Sequence, residues 1–156
     1  MHRRFLPLSP GRPPPCLRPL RRPPSPVEGP SHLTPPPEEL LRAVEEFNRE
    51  DWFTCHETLE TLWINSQGDA RNLYQGLLQI AVALHHWRSG NFNGAVTLLA
   101  RGARRLRVAT SCRHILAGEM AAAADRFREE LTNLGPERMN CIAPSLIPLL
   151  RLAPPA

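Results

Sequence analysis

At 156 residues the chain has room for one domain with a real core and too little for two ordinary ones. Its formal net charge of +4 would suit an anionic partner, but the distribution of charge removes that suggestion. Arg3, Arg4, Arg12, Arg18, Arg21 and Arg22 precede residue 38 with a single acid, Glu28, which leaves 13 arginines against 14 acids in the remainder. That remainder is close to neutral, so nucleic acid is not expected as a partner of the folded part. Every basic side chain is arginine, which reads as coding bias, since a surface rarely needs the guanidinium fork everywhere.

Thirteen of the eighteen prolines fall within the first 37 residues, with few apolar side chains beside them. Such a segment cannot bury enough surface to offset its ordering entropy, so residues 1–33 are expected to form a disordered tail. An acid-poor, arginine-rich start also fits an organelle transit peptide, although this many prolines oppose its helical bound form. No apolar run approaches the roughly 18 residues of a membrane span, and the tail lacks the hydrophobic stretch of a secretory signal. A soluble, cytoplasmic protein follows as the expectation. Cys16, Cys55, Cys112 and Cys141 contain no CxxC pair, which signals neither a disulfide framework nor a thiolate zinc site.

The rest of the chain reads as helices. Thr34 can cap the first, with Pro35 to Pro37 tolerated at its start and Glu38 and Glu39 favoured at the positive end of its dipole. Leu40, Leu41, Val44 and Phe47 give it an apolar stripe. A second helix is predicted over about Trp52 to Asn65, capped by Asp51, and a third over about Asp69 to Ser89. In the third, Leu73, Leu77, Ile80, Leu84 and Trp87 repeat at three and four residues with apolar flanks, the pattern of a helix in the middle of a bundle. Gly90 ends it, and Asn91 or Asn93 starts a fourth helix, whose Arg101, Arg104 and Arg105 point away from an apolar face. A fifth is predicted from about Arg113 to Asn133, stopped by Gly135 and Pro136. Cys141 to Ala156 are apolar but broken by proline and read as an extended strap. With no alternating pattern and no fixed-period repeat, the fold expected is all-α: a compact bundle of about five helices, with a helical domain over 34–135 and a strap over 136–156.

At about 100° per residue, Trp52, Phe53, His56, Leu59, Glu60 and Trp63 share one face of the second helix, with Glu57, Thr58 and Thr61 opposite. His56 and Glu60 are thereby expected in the core-facing stripe, one turn apart, at a spacing that lets them share a metal or a proton. A buried carboxylate needs a partner. On the third helix Gln75, Gln79 and His86 lie within about 40° of one another, so antiparallel packing of the two helices would set Gln79 or His86 opposite the pair. His85 points to a different face and is the weaker candidate.

The runs FNREDWFTCHETLETLW and YQGLLQIAVALHHWRSGNFNGA resemble the bacterial and archaeal family named domain of unknown function 309, whose signature HxxxExx(W/Y) reads here as His56, Glu60 and Trp63. Phe47-Asn48, the segment Gln75 to Ala81 and the turn Gly90 to Ala95 support it. The resemblance covers residues 38–108 well and the fifth helix loosely. It implies a small helical domain without an established activity, for which metal binding at the His and Glu has been suggested.

Two classes of function stand at this point. In one, His56, Glu60 and His86 hold a divalent transition metal or form a polar site in a concave pocket between helices two and three, with Trp63, Gln75, Gln79 and Asn48 in support. Zinc wants three or four ligands, and HETLE lacks the second histidine of a zincin. In the other, His56 and Glu60 are a structural hydrogen-bonded pair in a non-catalytic interaction module, with Asn48 or Gln79 completing the network. Apolar helix faces left over after bundle packing keep a homodimer open.

Overall fold

The computed structural model describes residues 35–109 and 114–154. The expected tail, the Thr34 cap, Cys16, Cys112 and the Arg113 helix start lie outside the described residues.

The first helix, α1 (Glu38–Asn48), carries Glu38 and Glu39 in its first turn and buries Leu40, Ala43 and Phe47 at the spacing of one face. A short turn leads to α2 (Trp52–Ile64), where the Asp51 side chain accepts from the Thr54 amide at 3.4 Å. The long α3 (Gly68–Arg88) buries eight residues, among them Leu73, Leu77, Ile80, Ala81 and Leu84. Gly90 then takes φ 83°, where a β-carbon would be strained. Asn91 caps α4 (Phe92–Val108) by accepting from the Gly94 amide at 3.0 Å. The last helix, α5 (Ala117–Leu134), starts four residues later than the sequence spacing predicts and ends at Gly135, φ 75°. Among the described residues five helices and two short 3₁₀ turns, Met139–Cys141 and Pro144–Leu146, make up the regular structure, with no strand.

Each helix packs on its neighbour in sequence, and α3 lies between α2 and α4 as its all-round apolar pattern requires. The α3–α4 contact is close because two glycines meet in it. A β-carbon on Gly102 would lie 2.6 Å from Ile80 Cγ1 and 2.8 Å from the Gly76 carbonyl oxygen, and one on Gly76 would lie 3.0 Å from the Gly102 carbonyl oxygen. The backbones touch where larger residues would hold them apart.

After α5 the chain runs back across the bundle and is fastened at three places. Asn48, at the end of α1, donates to the Leu150 carbonyl at 2.9 Å and accepts from the Leu150 amide at 2.8 Å. The Trp87 indole donates to the Met139 carbonyl at 2.8 Å. An isolated antiparallel bridge joins Ile115 to Leu152. Met139, Ile142 and Leu150 are buried as a result. Asn48 thus serves the C-terminal segment, and no hydrogen bond among the described residues joins it to His56 or Glu60.

Cys55 is fully buried and its thiol donates to the Ala43 carbonyl at 3.3 Å. Burial pushes this thiol far above its ordinary range, and the Glu46 and Asp51 carboxylates push it further in the same direction. Cys141 is exposed. Alkylation of the native chain is therefore expected to label Cys141 and spare Cys55 until denaturant is added, as peptide mass mapping would show. Equal labelling of both in the native state would contradict this packing.

Candidate functional site

On α2 the buried row is Trp52, Cys55, Thr58, Leu59 and Leu62, which centres the core-facing arc on Cys55 and Leu59. His56 and Glu60 lie on the flank of that arc, with side chains 28% and 47% exposed. The expectation that both sit inside the core stripe is corrected here, as is the outward placement of Thr58. Phe53 accounts for the error: counted as core, it rotates the stripe, yet it is 54% exposed.

The flank has definite geometry. His56 Nε2 and Glu60 Oε2 are 3.8 Å apart. His56 Nδ1 is 3.3 Å from the Phe53 carbonyl oxygen. A carbonyl can only accept, so where Nδ1 donates to it the neutral ring turns its Nε2 lone pair to the carboxylate. Two acceptors oppose each other there unless a proton or a cation lies between them. A backbone carbonyl on one ring nitrogen is also how proteins orient a histidine that ligates through the other.

The remaining site candidates are scattered. The Phe53 ring is flanked by His56 at 5.8 Å and by His85 at 5.7 Å between centroids, so the histidine that α3 brings to this flank is His85. His86 is turned to the α3–α4 connection, where Asn91 Nδ2 lies 3.3 Å from its Nδ1. Gln79 lines a recess beside α4, away from α2, and Gln75 is half-buried. Trp63 is half-buried one turn beyond Glu60, with the Arg71 guanidinium 4.7 Å over its ring and Arg71 Nη1 donating to its carbonyl at 3.2 Å. Among the described residues no group of three or more His, Cys, Asp or Glu stands where it could hold a metal ion. Two cavities, of about 350 Å³ between α5 and the C-terminal segment and about 460 Å³ between α3 and α4, do not border His56 or Glu60.

Residues 40–98, from α1 to the first half of α4, match the model of a family described as "Domain of unknown function (DUF309)". This segment is similar to the DUF309 family. The matched segment includes His56, Glu60 and Trp63. The chain is also 43% identical over 58 residues to "Uncharacterized protein YpuF" of Bacillus subtilis (strain 168). That alignment covers 36% of this chain and 33% of YpuF, so the chain spans about a third of that relative's length. No solved structure matches the chain. Among the described residues no helix is long and apolar enough to cross a membrane.

Proposed function

We propose that the domain is a non-catalytic interaction module whose contact face is the outer flank of α2, and that the partner seated there is a second copy of this chain. The observation that carries the proposal is Phe53, more than half exposed between the rings of His56 and His85. Ile64, on the same arc, is 62% exposed. Exposed aromatic and aliphatic anchors ringed by polar groups mark contact surfaces. This face also carries both signs of potential charge, imidazoles at His56 and His85 and carboxylates at Glu57 and Glu60. Across a two-fold axis it can complement itself.

The Nε2 lone pair of His56 facing Glu60 favours a second reading: a divalent transition metal held between two copies. One chain offers two secure ligands, and two chains would supply the four that zinc takes. Sedimentation of the full chain over a wide concentration range tests both readings, with and without zinc, nickel or manganese after chelation. Self-association abolished by Phe53→Asp, in a variant of unchanged helical content, is the expected result. If a metal is shared, association should require it and disappear in His56→Ala. A wild-type chain that stays monomeric under all these conditions would overturn both.

A further inference from the structure

The geometry points to an anion site between α3 and α4, formed by Arg101, Arg104 and Arg105 over the Gln79 side chain and suited to a small phosphate-bearing molecule that also carries a hydroxyl group. These four residues and Val108 line the recess of about 460 Å³. At about 100° per residue, positions 101, 104, 105 and 108 fall within roughly 100° of arc on α4, so the three guanidiniums border one space.

Among the described residues no carboxylate pairs with them. The α4 sequence from Phe92 to Val108 contains no acid. The ion pairs among the described residues use Arg42, Arg49, Arg88, Arg107 and Arg128, and none of the three arginines of the recess. Arg105 has only a long contact to Asn72 Oδ1, 3.4 Å. Like charges one turn apart repel, so an anion shared among them relieves a cost that the fold otherwise carries. Gln79 supplies the second observation. Its Oε1 is buried without a hydrogen-bond donor, an expensive state that a ligand hydroxyl would relieve once the amide turns toward the recess.

The recess is larger than a bare phosphate and of the size that holds small molecules. It is also confined. Beyond residue 37 the chain carries 13 arginines against 14 acids, so no long basic track continues from it to follow a nucleic-acid backbone. Gln79 lies within the segment that matches the DUF309 model, whereas the three arginines lie past it, so the charge of the site comes from outside the matched segment.

The test uses the full chain at low, matched ionic strength, with glycerol 3-phosphate, inorganic phosphate and a short single-stranded oligonucleotide as probes. Readouts are phosphorus NMR line broadening and thermal melting. Glycerol 3-phosphate should bind saturably and more tightly than inorganic phosphate. Arg101→Gln with Arg104→Gln should weaken it about tenfold or more, whereas Arg138→Gln, far along the chain, should not. Gln79→Met should bring glycerol 3-phosphate down to the level of inorganic phosphate. If the double variant melts early, Arg104→Gln alone serves, because that side chain is exposed. Binding that does not saturate, that survives loss of these arginines, or that is stronger for the oligonucleotide would overturn the proposal.

Discussion

Gly102→Leu is expected to destabilise the domain by about 1–3 kcal/mol, toward the upper end, measured as a fall in the urea midpoint at constant slope. The first added carbon already has no place, at 2.6 Å from Ile80 Cγ1 and 2.8 Å from the Gly76 carbonyl oxygen. A flexible side-chain tip could move aside, but a backbone oxygen on a packed helix cannot, so α3 and α4 must separate. Gly102→Ala sets two effects against each other: alanine favours the helix by up to about 1 kcal/mol, while the steric cost at this distance is larger. Net destabilisation is expected there too. Gly118→Ala is the control. It lies in the first turn of α5 with nothing within 4 Å of a β-carbon, and should be neutral or slightly stabilising. Separation of α3 from α4 would also reshape the recess at Gln79 and Arg105, so Gly102→Leu should weaken anion binding without touching a guanidinium.

The bundle was legible in the sequence because its signals are local and redundant. Asp51 and Asn91 cap α2 and α4, Gly90 and Gly135 end α3 and α5, and the apolar spacing of α3 declares its central place. The candidate site was legible in its residues and misread in its orientation. On α2 the large side chains Phe53 and Trp63 outweigh Cys55 and Thr58 in any reckoning by size, yet Cys55 and Thr58 face the core, and Phe53 faces water. Residue type alone does not tell which aromatic on a helix of low polarity is the exposed one. The partner across from His56 was misjudged for a related reason. On a helix buried nearly all round, polar residues mark the gaps between neighbours, and α3 has two such gaps: His85 fills the one toward Phe53, Gln79 the one toward the α4 arginines. The Asn48 clamp spans 102 residues, and no local pattern encodes a contact of that separation.

Trp87→Ala is expected to cost about 3–5 kcal/mol, toward the lower end because the ring is only partly buried. The indole meets Phe127 edge-on at 5.1 Å and Trp52 at 6.2 Å, and its N–H holds the Met139 carbonyl. Trp87→Phe separates these roles. It keeps a ring against Phe127 and leaves the carbonyl without its donor, at a cost of about 1–3 kcal/mol. Asn48→Ala removes a second of the three fastenings, two hydrogen bonds to Leu150, for a loss of similar size. If residues 139–152 detach as one unit, the first broken fastening already releases much of what the second secures. The double variant Asn48→Ala with Trp87→Phe should then lose less stability than the two losses added together. Hydrogen exchange at Leu150 should rise in Trp87→Phe even though Trp87 does not touch that amide. Additive losses with Leu150 exchange unchanged would instead mean that the two anchors act independently, each holding only its own end of the segment.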